Sequence, residues 1–312
     1  MCSSNPEFVV FPYRFHFVAI DELQIPAGQG GNIVRGGLGT VMRRTACSPT
    51  CHGASHSEQC IYSRLFAPKL SKGPSGLGDP PRPFVLRASE LDGKLIEAGQ
   101  PFFFDVHLFT GGERMIEYFA SAFAELAREG FGPARAAVEL NRIDTLNAAR
   151  QPSLTIYRNH EFVAGDYPPV IVPLSPSLEA MDKLELRFLT PTELKHDGKL
   201  VSVPEFGIVF SRLRDRITSL LSLYGEIALD VDFAGTGERA NNVKLVEWHL
   251  DWHEAERRSS RTGQTHPIGG FTGRAIYEGD LSEFVPWLRA GYWTGMGRQT
   301  VWGKGTIDVV PG

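Results

Sequence analysis

The 312-residue chain has no run of eighteen apolar residues, and its start lacks a charged stretch leading into an apolar one. Neither a membrane-spanning helix nor a secretory leader is expected, which points to the cytoplasm and to no membrane partner. A basic excess is also missing, since 36 acidic against 32 basic side chains leave a net charge of −4 at pH 7. A protein that coats nucleic acid with its whole surface is thereby excluded, and any RNA or DNA contact must rest on a local basic patch. In a chain expected in the cytosol, the four cysteines read first as reduced thiols. No P-loop occurs, nor a Gly-x-Gly-x-x-Gly turn leading from a strand into a helix.

Glycine is plentiful, and four glycines near the end are regularly placed: Gly295, Gly297, Gly303 and Gly305, in GMGRQTVWGKG. With 33 glycines in 312 residues, chance yields that spacing in only roughly 4% of such chains, so the pattern carries meaning. It lies between a helix and a strand and includes Arg298 and Lys304. A run of main-chain N–H groups with two cations suits a nucleic-acid backbone. Upstream, Arg257, Arg258, Arg261 and Arg274 fall in eighteen residues free of Asp and Glu, a local +4 before His266 is counted. The plainer readings, a glycine-rich helix stop with a strand bulge and a solvated arginine loop, stay open at this point.

Length and an apolar fraction of 42% fit two domains, each with a full core. The opening FVVFPYRFHFVAI reads as a strand with Phe15 and Phe17 on one face and Arg14 and His16 on the other. Helical spacing follows at Val34, Leu38, Val41 and Met42, although Gly36, Gly37 and Gly39 weaken it. The chain then reads as irregular up to about Phe84. Strands are expected at Phe84–Ala88 and Pro101–Phe109, a helix at Glu113–Glu129, and a strand near Ala137–Ile143.

The second half repeats that order. Its elements are a strand at Lys183–Leu189, a helix at Pro204–Tyr224 with Pro204 in the first turn, strands at Val243–Trp252 and Gly270–Tyr277, a helix at Ser282–Trp293 and a strand at Thr306–Val310. The fold class is therefore α+β, two tandem ferredoxin-like (RRM-like) βαββαβ domains. Residues 1–160 form the first, with a Cys/His-containing insertion, and residues 161–312 the second, with the glycine-rich loop. The boundary falls within Gln151–Leu178.

Several segments together resemble a known family. The C-terminal GGFTGRAIYEGDLSEFVPWLRAGYWTGMGRQTVWGKGTIDV, preceded by the Trp-containing VEWHLDWHEAE, is similar to the end of the CRISPR-associated pre-crRNA-processing endoribonucleases of the RAMP superfamily. RGGLGTVMRRTAC, CIYSRLFAP and DPPRPFVLR carry the resemblance into the first half. It implies that the chain binds CRISPR repeat RNA and cuts it once without metal. The ribose 2′-OH would attack the adjacent phosphorus, leaving a 2′,3′-cyclic phosphate and a 5′-OH. The alternative is a noncatalytic subunit that holds guide RNA in a CRISPR effector complex. Subunits of such a complex are then the further partners, and the chain itself is a monomer or homodimer. Arg257, Arg258, Arg261, Arg274, Gly295, Gly297, Arg298, Gly303, Lys304 and Gly305 are the implied RNA-binding residues.

Members of that family commonly place their general base at or just after the first helix, which here contains no histidine. His52 is the nearest and the first candidate, because imidazole titrates near working pH. His16 on the first strand and His266 in the basic segment compete with it. The neighbourhood of His52, CSPTCHGASHSEQC, holds a second pattern. Cys47, Cys51, His56 and Cys60 have the composition of a Cys3His site for a structural zinc, while reduced, unliganded cysteines are the plainer alternative.

Overall fold

A computed structural model describes residues 6–47, 51, 56–57, 59–68, 79–177, 180–225, 229, 231–254, 256–258, 265–267 and 269–312. The chain divides into two compact units, one of Val10–Val170 and one joining the described residues up to Val9 to Ile171–Gly312.

The first unit is built around β1 (Glu7–Ala19), whose alternation buries Tyr13, Phe15, Phe17 and Ala19 and turns Arg14, His16 and Val18 to the other face. The chain continues through α1 (Gly30–Thr45), α2 (Ile61–Phe66), β2 (Phe84–Arg87), β3 (Pro101–Leu108), α3 (Gly112–Glu129), β4 (Val138–Leu146) and β5 (Pro152–Arg158). Phe15 lies opposite Phe104 of β3 and Ile143 of β4, and β2 pairs with the far side of β3. The strand order β2-β3-β1-β4 is the ferredoxin-like one, extended at its edge by β5.

Helix α3 closes the apolar face with Met115, Ile116, Phe119, Phe123 and Leu126. Phe104 stacks on Phe15 at 5.8 Å between centroids and meets Phe123 edge-on at 4.9 Å. Of the glycines of α1, Gly37 has a packing reason, since a Cβ there would lie 2.6 Å from Leu126 of α3, whereas one on Gly36 would meet nothing. The segment read as irregular contains α2, pinned by Phe66 against Phe84 at 5.3 Å. Six residues are too few for helical periodicity to be read from sequence.

After β6 (Val170–Pro173), the second unit runs β7 (Lys183–Thr192), α4 (Phe206–Tyr224), α5 (Phe233–Asn241), β8 (Lys244–His253), β9 (Glu256–Arg258), β10 (Thr265–Pro267), β11 (Gly270–Glu278), α6 (Val285–Thr294) and β12 (Ile307–Pro311). Its sheet order, β8-β11-β7-β12, repeats the first. Phe206 and Phe210 of α4 pack edge-on against Tyr277 at 5.0 Å and Phe284 at 4.6 Å. Pro204 precedes α4 rather than opening it, and its carbonyl accepts the buried Tyr277 hydroxyl at 2.6 Å. Helix α5 carries two glycines and is held by its cap, where Gly235 N donates to Asp232 Oδ1 at 2.9 Å. Among the described residues no helix is long and apolar enough to cross a membrane.

The aromatic cluster makes a direct prediction: Phe104→Ala should destabilise the first unit by about 3–5 kcal/mol, read as an earlier urea unfolding transition.

Candidate nucleic-acid interface

The loop between α6 and β12 folds back on itself and on the end of β7. Met296 N donates to Gly305 O at 2.8 Å, Gly305 N to Pro191 O at 3.0 Å and Arg298 N to Glu193 O at 3.0 Å. A Cβ on Gly305 would stand 1.9 Å from Met296 O, and one on Gly297 would stand 2.4 Å from Glu193 O. These glycines are thus demanded by the protein's own backbone.

The N–H groups of Gly295, Met296, Arg298, Gly303 and Gly305 all have protein acceptors. What the loop does present is Arg298, 54% exposed and 2.5 Å from the buried Glu193 carboxylate. Lys304 is buried, at 7% exposure, and belongs to the loop's interior.

On the sheet face opposite α4 and α6, Arg274 of β11 sits exposed at the middle. Its guanidinium donates to Glu247 at 2.8 Å and to Glu185 at 3.3 Å. A shallow groove of about 590 Å³ runs beside it between Arg187, Leu189, His249 and Asp251. Counting charge along the chain missed these carboxylates, which reach Arg274 from neighbouring strands. Arg257 and Arg258 stand on β9, paired with β10 so that Arg257 lies opposite His266. The segment read as a loop is therefore partly a hairpin; Arg261 lies outside the described residues. Trp248 and Trp252 are 44% and 46% exposed on the edge strand β8.

In the first unit, the β1 face turned away from α3 carries a charged group of side chains. His16 Nε2 lies 2.9 Å from Asp144 Oδ2, and Arg142 Nε lies 3.1 Å from the same oxygen. Thr155 Oγ1 donates to the other Asp144 oxygen at 2.7 Å. Beside them Arg14 donates to both oxygens of Asp105, at 2.7 and 2.9 Å, with its guanidinium 4.1 Å above the Phe103 ring. Burial holds His16 below its ordinary pKa, against the pull of Asp144 and with the aid of Arg142 and Arg14. A carboxylate orients this imidazole, two guanidiniums flank it, and burial favours its neutral form, the form that can accept a proton.

The fourth group follows α1. Cys47, Cys51, His56 and Cys60 bring one donor atom each to within 4.8 Å of all the others. Burial and the neighbouring thiols push the Cys47 thiol up to about 11. The set can hold a metal ion. His52 lies outside the described residues.

Residues 8–168 match the AF_1859_N N-terminal domain family, and residues 186–307 match the CRISPR-associated endoribonuclease Cas6 family. Residues 186–307 thus form a domain of the CRISPR-associated endoribonuclease Cas6 family. Its fold is similar to that of a Thermus thermophilus Cas6, with a TM-score of 0.56 and 14% identity over 98% of this chain and 100% of that one. A Cas6 product complex gives a TM-score of 0.57 and 16% identity over 97% of this chain and 99% of that one. A partial Cas6-RT-Cas1–Cas2 complex gives 0.57 and 10% identity, covering 99% of this chain but 47% of that one. At such identities the likeness speaks for the tandem ferredoxin-like fold. No curated protein matches the chain.

Around these groups, sequence reading missed Glu193, Asp144 and Arg142. Phe103 and Asp105 were legible as the alternate face of PFFFDVHL; Asp144 and Glu193 become relevant only through pairings over 100 residues apart.

Two outcomes follow. Gly305→Ala should lower stability by on the order of 3 kcal/mol, a strained φ of +71° combined with a backbone clash, checked by chemical denaturation. Because the folded pKa of His16 lies below the ordinary 6.5, the unfolded chain binds the extra proton as pH falls below that value, so stability drops there. His16→Gln should flatten the fall in unfolding free energy between pH 7 and pH 5.

Proposed function

We propose that the chain binds CRISPR repeat RNA and cuts it once by transesterification. The 2′-oxygen bonds to the adjacent phosphorus while the bond from phosphorus to the 5′-oxygen breaks. The 2′-OH proton passes to a base and the 5′-oxygen takes up a proton, leaving 2′,3′-cyclic phosphate and 5′-OH ends. Nothing in that balance requires a metal ion, since an imidazole and guanidinium cations supply the base and the charge stabilisation. The observation that carries the reading is the Cas6-family match over residues 186–307, the stretch that includes Arg274, the β9–β10 arginines and the glycine loop.

RNA binding is assigned to Arg257, Arg258, Arg261, Arg274 and Arg298, with Gly295, Gly297, Gly303, Lys304 and Gly305 shaping the loop that holds Arg298. The base is His52, which follows α1 in the chain; His16 is the second candidate on the strength of its pairing with Asp144, and His266 the third. The chain acts in the cytoplasm as a monomer or homodimer, alone or with other subunits of a CRISPR effector complex. The Cys3His cluster takes no part in the proton transfers, although His52 lies in sequence between two of its members.

End-labelled repeat RNA incubated with the protein in EDTA should be cut at one position, and a substrate with a 2′-deoxy residue there should stay intact. Tight binding of both without cleavage would make the chain a guide-holding subunit instead. His52→Ala should slow cleavage by about 10²–10⁴-fold with little change in RNA affinity; an unaffected His52→Ala beside an inactive His16→Ala would move the base to β1. Arg298→Ala should reduce the slope of log affinity against log salt by about 0.7–0.9, and an unchanged slope would remove Arg298 from the interface.

A further inference from the structure

We propose that Cys47, Cys51, His56 and Cys60 bind one Zn(II) ion, closing a structural site that ties the end of α1 to the start of α2. The argument begins with distances. Tetrahedral zinc with Zn–S near 2.3 Å and Zn–N near 2.0–2.1 Å places its sulfurs about 3.8 Å apart and each sulfur about 3.5 Å from the nitrogen. Here the Cys60 and Cys47 sulfurs are 3.9 Å apart, and His56 Nδ1 lies 3.5 Å from Cys47 Sγ and 3.6 Å from Cys60 Sγ. Three independent separations therefore match the edges of one coordination tetrahedron, and the Cys51 sulfur falls within 4.8 Å of all three donors. All three cysteines are free thiols.

The surroundings fit the same ion. Ser57 N–H points at Cys51 Sγ at 3.4 Å, the kind of outer contact that stabilises a metal thiolate. Three thiolates and one imidazole in a tetrahedron select zinc over harder cations. Four protein ligands leave no open position for substrate or water, so the site is structural.

The reason for it lies in composition. Apart from its cysteines, the stretch from Ala46 to Cys60 offers only two alanines as apolar residues and cannot make a core of its own. The metal supplies the missing anchor, and the aromatic series His56–Tyr62 at 5.3 Å, Tyr62–Phe66 at 5.2 Å and Phe66–Phe84 at 5.3 Å fastens it to the sheet.

The proposal does not rest on the RNA-cleaving reading, and its test reads metal rather than activity. Full-length protein purified from zinc-supplemented cells should contain about one zinc per chain, and the Cys47→Ser/Cys60→Ser double variant should contain essentially none. Metal-free wild-type protein after zinc repletion, or a double variant that keeps its full equivalent, would overturn the site. Because the double variant can fail to fold, Co(II) is also added to apo wild-type protein. Intense visible bands of tetrahedral cobalt with thiolate charge transfer, displaced by one equivalent of zinc, are expected; the weak spectrum of octahedral cobalt overturns the proposal. His56→Cys should retain the metal where His56→Ala weakens it.

Discussion

The close contact between the C-terminal glycine loop and the end of β7 governs the second unit. Gly305 and Gly297 let main chain lie on main chain at Met296 and Glu193, where any side chain would collide. Thr190 seals the contact by donating to Gly303 O and accepting from Thr306 N, both at 2.9 Å. One junction thus joins the exit of α6, the entry of β12 and the end of the central strand β7, and it aims Arg298 outward beside Glu193. The glycine pattern lets the loop close on β7 and leaves Arg298 at the protein surface.

A similar economy appears on the two sheets. Each gives one face to its helices and core, so the opposite face collects the polar side chains of alternate positions. In the second unit those include Arg274, Glu185 and Glu247; in the first, Arg14, His16, Asp105, Arg142 and Asp144. Their charges are paired within the protein, so any polyanion binding there would have to compete with carboxylates for the same guanidiniums. That competition favours phosphates that meet several arginines at once over isolated anions.

Long elements with clear periodicity were legible in the sequence. The alternation of β1, the apolar stripe of α3 and the repeated βαββαβ order each matched the structure within a few residues. Short or composition-poor elements were not: α2 has six residues, α5 reads FAGTGERAN, and the β9–β10 hairpin was hidden in a polar stretch. The Cys47, Cys51, His56 and Cys60 grouping could be read from spacing, because its members lie within fourteen residues. The His16–Asp144 and Arg298–Glu193 pairs could not, since strand register and loop closure alone bring them together.

The chemistry of the cut ends tests the central claim most directly. Repeat RNA processed by the protein should yield a downstream fragment that a polynucleotide kinase labels without prior phosphatase treatment. The upstream fragment should resist 3′-end ligation until its cyclic phosphate is opened and removed. Those ends are what attack by the ribose 2′-OH leaves behind. A 5′-phosphate on the downstream fragment with a free 3′-OH on the upstream one would mean that water, not the RNA's own hydroxyl, is the nucleophile, and would contradict the account.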